Sequence, residues 1–290
     1  MKKTTQIIFL SILFSVAISG CGISVELPFK TETKTGPTVT ETIQVPVPGS
    51  PSPLDLNIYF GAGKLTLLPN PGPDLLFGTA SFNVADFKPE TTVDESGVTL
   101  KQGNLKLNAV PTIDGKIKNE WNIAIANYPI ELTVKAGGYS GEFEFGGLSL
   151  TDLHILDGAS NVNLKFSTPN SAAMNTFRYE TGASNITMEK LANANFQTMI
   201  FQCGAGNYDL DFSGVLQRDA SVFIETGLSR LVVSVPEGVQ AEVNFEGPLS
   251  KVLMSGNWQE SGNEYILTGQ GPKLLFTIET KAGTVTLQNP

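Results

Sequence analysis

A short phrase recurs along this chain. Phe60-Gly61-Ala62-Gly63-Lys64-Leu65-Thr66-Leu67 returns as Asp157-Gly158-Ala159-Ser160-Asn161-Val162-Asn163-Leu164, then as Thr181-Gly182-Ala183-Ser184-Asn185-Ile186-Thr187-Met188, and again as Cys203-Gly204-Ala205-Gly206-Asn207-Tyr208-Asp209-Leu210. Around each reference glycine, apolar residues stand five and three places before it and four and six after it. Eight copies fit, centred on Gly61, Gly137, Gly158, Gly182, Gly204 and Gly227, with Pro248 and Lys281 in the glycine slot. Of their thirty-two apolar slots only Gly141 lacks a sizeable side chain.

Alternation on both sides of a glycine describes two short strands joined at a corner, each with one buried face. The glycine supplies a positive φ or a close backbone approach. From Gly137 to Pro248 the reference positions are 21, 24, 22, 23 and 21 residues apart, about one coil of a solenoid. Coils stacked about 4.8 Å apart turn equivalent slots into continuous columns. The expected fold is therefore all-β, a single-stack β-solenoid, with Ile155, Tyr179, Phe201 and Ile224 in one interior row.

The spacing breaks twice. Between Gly61 and Gly137, Leu76 to Asp86 and Thr91 to Gln102 read as strands, followed by Trp121-Asn122-Ile123-Ala124-Ile125. This predicts an inserted β-hairpin at about 70–128, near the N-terminal end, and a further strand, an element suited to cap an open sheet edge. The second break, Asn257 to Gly271, reads as a Gly-rich loop.

The chain starts as an exported protein does. Lys2 and Lys3 precede an apolar stretch from Ile7 to Ile18, too short to span a membrane and of the length of a signal-peptide core. It ends in Ile18-Ser19-Gly20-Cys21, which resembles a bacterial lipobox; residues 1–20 are then a lipoprotein signal peptide and Cys21 carries lipid. An ordinary signal peptide with a chance cysteine is the alternative. No other stretch reaches the ~18 apolar residues of a membrane helix, so the expected membrane partner is reached through lipid on Cys21. Residues 21–53, rich in Thr and Pro, read as a tether able to reach ~100 Å at about 3.1 Å per residue. Ile43, Val45 and Val47 alternate within it, but the prolines allow an edge strand at most. The solenoid domain is expected over 54–290.

Phe82-Asn83-Val84 with Phe87-Lys88-Pro89-Glu90, Pro129-Ile130-Glu131-Leu132 leading into Gly137, the Gly-Ala turns and the closing Gly283-Thr284-Val285-Thr286-Leu287 resemble the toast-rack domain, a domain of unknown function in exported bacterial proteins, and its adhesin-like β-solenoid relatives. The resemblance covers roughly 54–290. It implies the solenoid fold and brings no catalytic residues.

Little in the chain suggests catalysis. The net charge of −9 becomes −11 once Lys2 and Lys3 leave with the signal peptide, which argues against nucleic acid as a partner. The one histidine, His154, falls in an outward slot and reads as a solvated strand residue. Cys203 has no disulfide partner once Cys21 is lipidated, and reads as a small packing residue at a corner. No cofactor is expected. The column two places before the glycine reads Glu180, Gln202, Glu225 and Glu246 in successive coils, with Glu279 later. Stacked carboxylates repel, so Glu180, Glu225 and Glu246 are either a weak calcium candidate or a solvated acidic ladder. Two outward apolar pairs, Ile200 with Phe223 and Val232 with Leu253, are either a partner patch or a surface covered by an insertion. The sequon Asn185-Ile186-Thr187 reads as chance.

The resulting expectation is a lipid-anchored, extracytoplasmic, non-enzymatic binding or scaffold module of the bacterial envelope, with a cell-wall polymer or envelope protein as partner. A regulator of an envelope-stress response and a polysaccharide lyase-like enzyme are the alternatives.

Overall fold

The computed structural model describes residues 35–49, 52–103 and 117–290. The signal peptide, Cys21 and the first part of the tether lie outside them. Among the described residues sixteen strands form one sheet. At the N-terminal end are β1 (Val39–Pro46), β2 (Leu54–Asn70), β3 (Asp74–Phe82), β4 (Pro89–Val93), β5 (Gly97–Gln102) and β6 (Asn119–Ala126). The middle coils are β7 (Pro129–Glu144), β8 (Ser149–Lys165), β9 (Met174–Glu189), β10 (Phe196–Asp211) and β11 (Ala220–Ser234). The far end holds β12 (Gln240–Glu246), β13 (Leu249–Ser255), β14 (Gln259–Ser261), β15 (Glu264–Leu267) and β16 (Lys273–Gln288).

Each long strand carries one repeat and runs through its corner, and β7 to β11 stack in parallel, each in register with the next. The expected interior row is present: Ile58, Val134, Ile155, Tyr179, Phe201 and Ile224 pair in succession, and all are buried. A loop side completes each coil. Phe145, Phe166, Phe212 and Val235 are fully buried there, and their backbone N–H groups donate to Lys165, Glu189, Ser234 and Gln288 of the adjacent coil at 2.8–3.1 Å.

The corner glycines work by close approach. A Cβ on Gly137, Gly182, Gly204 or Gly227 would meet the carbonyl oxygen of the preceding corner glycine at 2.2–2.5 Å, and one on Gly158 at 3.1 Å. Within the corners, positive φ falls not at the reference glycine but two residues on, at Gly63, Gly206 and Gly283.

Both ends depart from consecutive stacking. The last strand, β16, lies between β11 and the layer formed by β12 and β13, pairing in parallel with all three. The layer order is therefore Gly227, Lys281, Pro248, where chain order suggests Gly227, Pro248, Lys281. Sequence distance carries no information here, because any segment with the right alternation fits the same columns. At the other end β5 and β6 form a further layer beneath β2, pairing in parallel with its first and second arms. Val98, Leu100, Trp121 and Ile123 fill its interior slots and are buried.

The insertion differs in detail from the expected hairpin. Thr91 to Gln102 is not one strand: β4 turns back on β5 at Asp94, whose carboxylate accepts from Ser96 N, Ser96 Oγ and Gly97 N at 2.7–3.1 Å. These bonds hold the Asp94 carboxyl below the usual carboxylate range. β3 instead lies antiparallel between β6 and β1. The end of the expected tether, Val39–Pro46, is thus an edge strand of the folded unit, with Ile43 and Val45 buried in its core. The second insertion is not a loop. β14 and β15 form a hairpin through Gly262 (φ 65°), and β15 caps β12 antiparallel. Among the described residues β13 pairs only with β16.

Candidate functional site

Inside the corner lies a polar seam that the apolar repeat does not announce. Asp157, 6% exposed, accepts from the hydroxyls of Tyr179 at 2.7 Å, Ser160 at 3.1 Å and Tyr139 at 3.2 Å, and from Thr181 Oγ1. Ser160 Oγ also reaches Ser184 Oγ at 2.9 Å. Burial, then the neighbouring Asp157 charge, pushes the Tyr139 phenol well up; burial leads at Tyr179 too, followed by Tyr139 and Asp157. The seam continues as Ser229 donating to Thr226 at 2.8 Å, and at the N-terminal end as Gln102 Oε1 accepting from Gly61 N and Asn119 Nδ2. A buried carboxylate costs free energy unless donors surround it, and this one has four hydroxyls. The arrangement locks coils β7, β8 and β9 together. The sign of it in the sequence is an Asp in a column otherwise filled by Phe, Ala, Thr, Cys and Gly.

Outside the same corner runs a shallow groove of about 350 Å³ lined by Leu156, Glu180, Gln202, Cys203 and Glu225, with Asp157 and Thr181 at its base. Glu180 accepts from His154 Nε2 at 2.7 Å and lies 3.6 Å from Arg178 Nη1. His154 is therefore a partner of Glu180 and not merely solvated. Gln202 Nε2 donates to Glu225 at 3.1 Å. Neutral and cationic neighbours thus separate the first two glutamates of the acidic column. Beyond Glu225 the next residue is Glu279, and Glu246 comes after it, because β16 intervenes. Among the described residues no three His, Cys, Asp or Glu side chains stand together as a metal set. Burial pushes the Cys203 thiol up to about 12, and its Sγ faces the Glu225 carbonyl at 3.6 Å.

Of the four patch residues, the structure brings two together. Ile200 and Phe223 are paired neighbours on β10 and β11, Ile200 half-buried and Phe223 46% exposed. Val232 and Leu253 do not meet, since Thr286 of β16 stands between them. Val232 is also buried, at 2% exposure, between Asp209 and Thr286, with Arg230 and Ser234 two places along the same face. A small β-branched side chain hemmed in by four neighbours has little surface left. Among the described residues no helix is long and apolar enough to cross a membrane.

The chain is a glycine-cornered, parallel stack of bent strands with antiparallel strands added at both ends, a solenoid of the toast-rack kind. The chain belongs to that family: the family described as N-terminal domain of toast_rack, DUF2154, matches residues 34–189, more than half of the sequence. No curated protein matches it. Among solved structures, a "putative cell adhesion protein" from Clostridium sporogenes is 19% identical, with a TM-score of 0.47 over 88% of this chain and 100% of its own. A "putative adhesin" from Bacteroides fragilis is 10% identical, with a TM-score of 0.41 over 87% and 97%. A "putative lipid binding protein" from Parabacteroides distasonis is 8% identical, with a TM-score of 0.37 over the same shares.

Proposed function

We propose that this protein is a lipid-anchored, extracytoplasmic binding or scaffold module of the bacterial cell envelope, without catalytic activity. The anchor is lipid on Cys21, and the partner is a cell-wall polymer or an envelope protein. The observation that carries the reading is where the reactive side chains are spent. His154 holds Glu180, Asp157 is enclosed by hydroxyls, and the Cys203 thiol is kept protonated. The outer face is left open to recognition, and there Ile200 and the exposed Phe223 flank the acidic column. An exposed apolar patch rimmed by polar residues marks an interaction surface. The Ile18-Ser19-Gly20-Cys21 motif supports export and anchoring.

The test has two arms. Cys21→Ser is expected to move the protein out of the lipid-modified membrane fraction, and incorporation of a labelled fatty acid is expected to disappear with it. Full-length protein is then incubated with envelope preparations, in parallel with Phe223→Glu. Envelope retention that falls with Phe223→Glu supports the reading; retention indifferent to that change, or labelling that survives Cys21→Ser, overturns it.

A further inference from the structure

The far end of the stack carries a cavity that the outer-face reading does not use. It measures about 610 Å³ and is lined by Glu237 and Gly238 after β11, Asn257, Trp258 and Gln259 after β13, Leu267 and Thr268 at the end of β15, and Asn289 after β16. That volume lies within the usual range for small-molecule sites.

The cavity is held by backbone geometry. The Asn289 side chain donates to Val235 O at 2.9 Å and accepts from Asn257 N at 3.4 Å, while Asn289 N donates to Ser255 O at 3.0 Å. Gly256 has φ 89°, and a Cβ there would meet Asn289 O at 2.4 Å. Across the cavity, Gln270 N donates to Gly238 O at 2.9 Å. The walls are therefore fixed before any ligand arrives, which lowers the ordering cost of binding.

Trp258 is 8% exposed, and its indole Nε1 is buried without a hydrogen-bond partner among the described residues. A buried donor left unpaired is costly. The side chains of Glu237, Asn257, Gln259 and Thr268 likewise make no hydrogen bond among the described residues. Their carboxylate, amides and hydroxyl offer both donors and acceptors. Among the described residues no Lys or Arg lines the cavity, so an anionic ligand would face Glu237 uncompensated. An apolar ligand would strand the polar groups.

We infer that this cavity binds one or two units of a neutral saccharide, with Glu237, Asn257 and Gln259 bonded to its hydroxyls and Trp258 supplying part of the aromatic wall. The inference deepens the envelope-binding reading and rests on it for biological context. The ligand is either a free saccharide or the exposed end of a glycan polymer.

Full-length protein in a non-glycoside detergent is titrated with maltose, cellobiose and N,N′-diacetylchitobiose, read by tryptophan fluorescence. A digalacturonate and an uncharged tetrapeptide serve as competitors of other chemistry. A saturable change with a dissociation constant of about 1 mM, lost in Trp258→Phe, is expected for a neutral disaccharide. Asn257→Ala with Gln259→Ala, both exposed positions that leave the fold intact, is expected to weaken it about tenfold. Co-sedimentation with insoluble cell-wall glycan, inhibited by the soluble sugar, assigns the polymer as source; titration without co-sedimentation assigns the free sugar. No response to any neutral sugar, an equal response in Trp258→Phe, or a response only to digalacturonate or the peptide overturns the inference. Such a failure alongside Phe223-dependent envelope retention leaves the wider reading standing.

Discussion

Tyr179 donates its hydroxyl to the buried carboxylate of Asp157 at 2.7 Å, across two stacked coils. A hydrogen bond to a charged group contributes about 1.5–3 kcal/mol. Tyr179→Phe removes that donor while leaving the ring, and is expected to lower stability by about that amount in urea denaturation. Ser160→Ala, whose bond is longer at 3.1 Å, is expected to cost less. Equal, negligible effects would mean that Asp157 does not depend on these hydroxyls.

The buried phenols and thiol make stability fall in alkali. Tyr139, Tyr179 and Cys203 all have their values raised in the folded chain, the thiol to about 12. The folded state therefore binds more protons than the unfolded one as pH rises past the unfolded values of about 8.5 for Cys and about 10 for Tyr. The contribution is fully present below those values and is lost as pH climbs through the folded ones. The urea midpoint is expected to decline above about pH 9, and the first part of that decline to shrink in Cys203→Ser. Slow alkylation of native Cys203 at pH 8 is the companion expectation.

Glu225, Glu279 and Glu246 stand on three adjoining strands as exposed, successive residues. Like charges directly opposite are destabilising, by roughly 0.2–1 kcal/mol. Glu279→Gln is expected to raise stability within that range, with the gain shrinking at high salt. A loss of stability would show that the column is held together by something other than its own side chains.

The corner glycines differ in how much room they have. A Cβ at Gly227 would sit 2.2 Å from the Gly204 oxygen, against 3.1 Å at Gly158. Gly227→Ala is expected to cost about 3 kcal/mol or more and Gly158→Ala about 1 kcal/mol. The reverse order in thermal or urea denaturation would contradict the close-approach account.

The interior row was legible because alternation on either side of a small residue leaves few options: Ile155, Tyr179, Phe201 and Ile224 face inward whatever their neighbours do. The stacking order was not legible. Phe276 and Ile278 fit the columns beside β11 as well as Val243 and Phe245 do, so hydrophobic pattern cannot rank the two layers. Nor was the seam at Asp157, since a polar residue in an inward slot reads as an exception until its four hydroxyl partners, from three coils, are placed around it. The β14–β15 hairpin was hidden for a different reason. Gln259-Glu260-Ser261 is short and polar, and only its pairing with Glu264 to Ile266 makes it a strand.

Because β16 sits inside the pile and not at its tip, assembly cannot simply follow synthesis. Until Lys273–Gln288 is made, the slot next to β11 is vacant, β12 has only β15 beside it, and β13 has no strand to pair with among the described residues. The final stretch must slide between partners already made, like the last book pushed onto a filled shelf. A chain cut short before Lys273 would therefore lose pairing with β11 on one side and with β12 and β13 on the other, and the cell would meet it as an incomplete molecule exposing raw sheet edges on both sides of the gap.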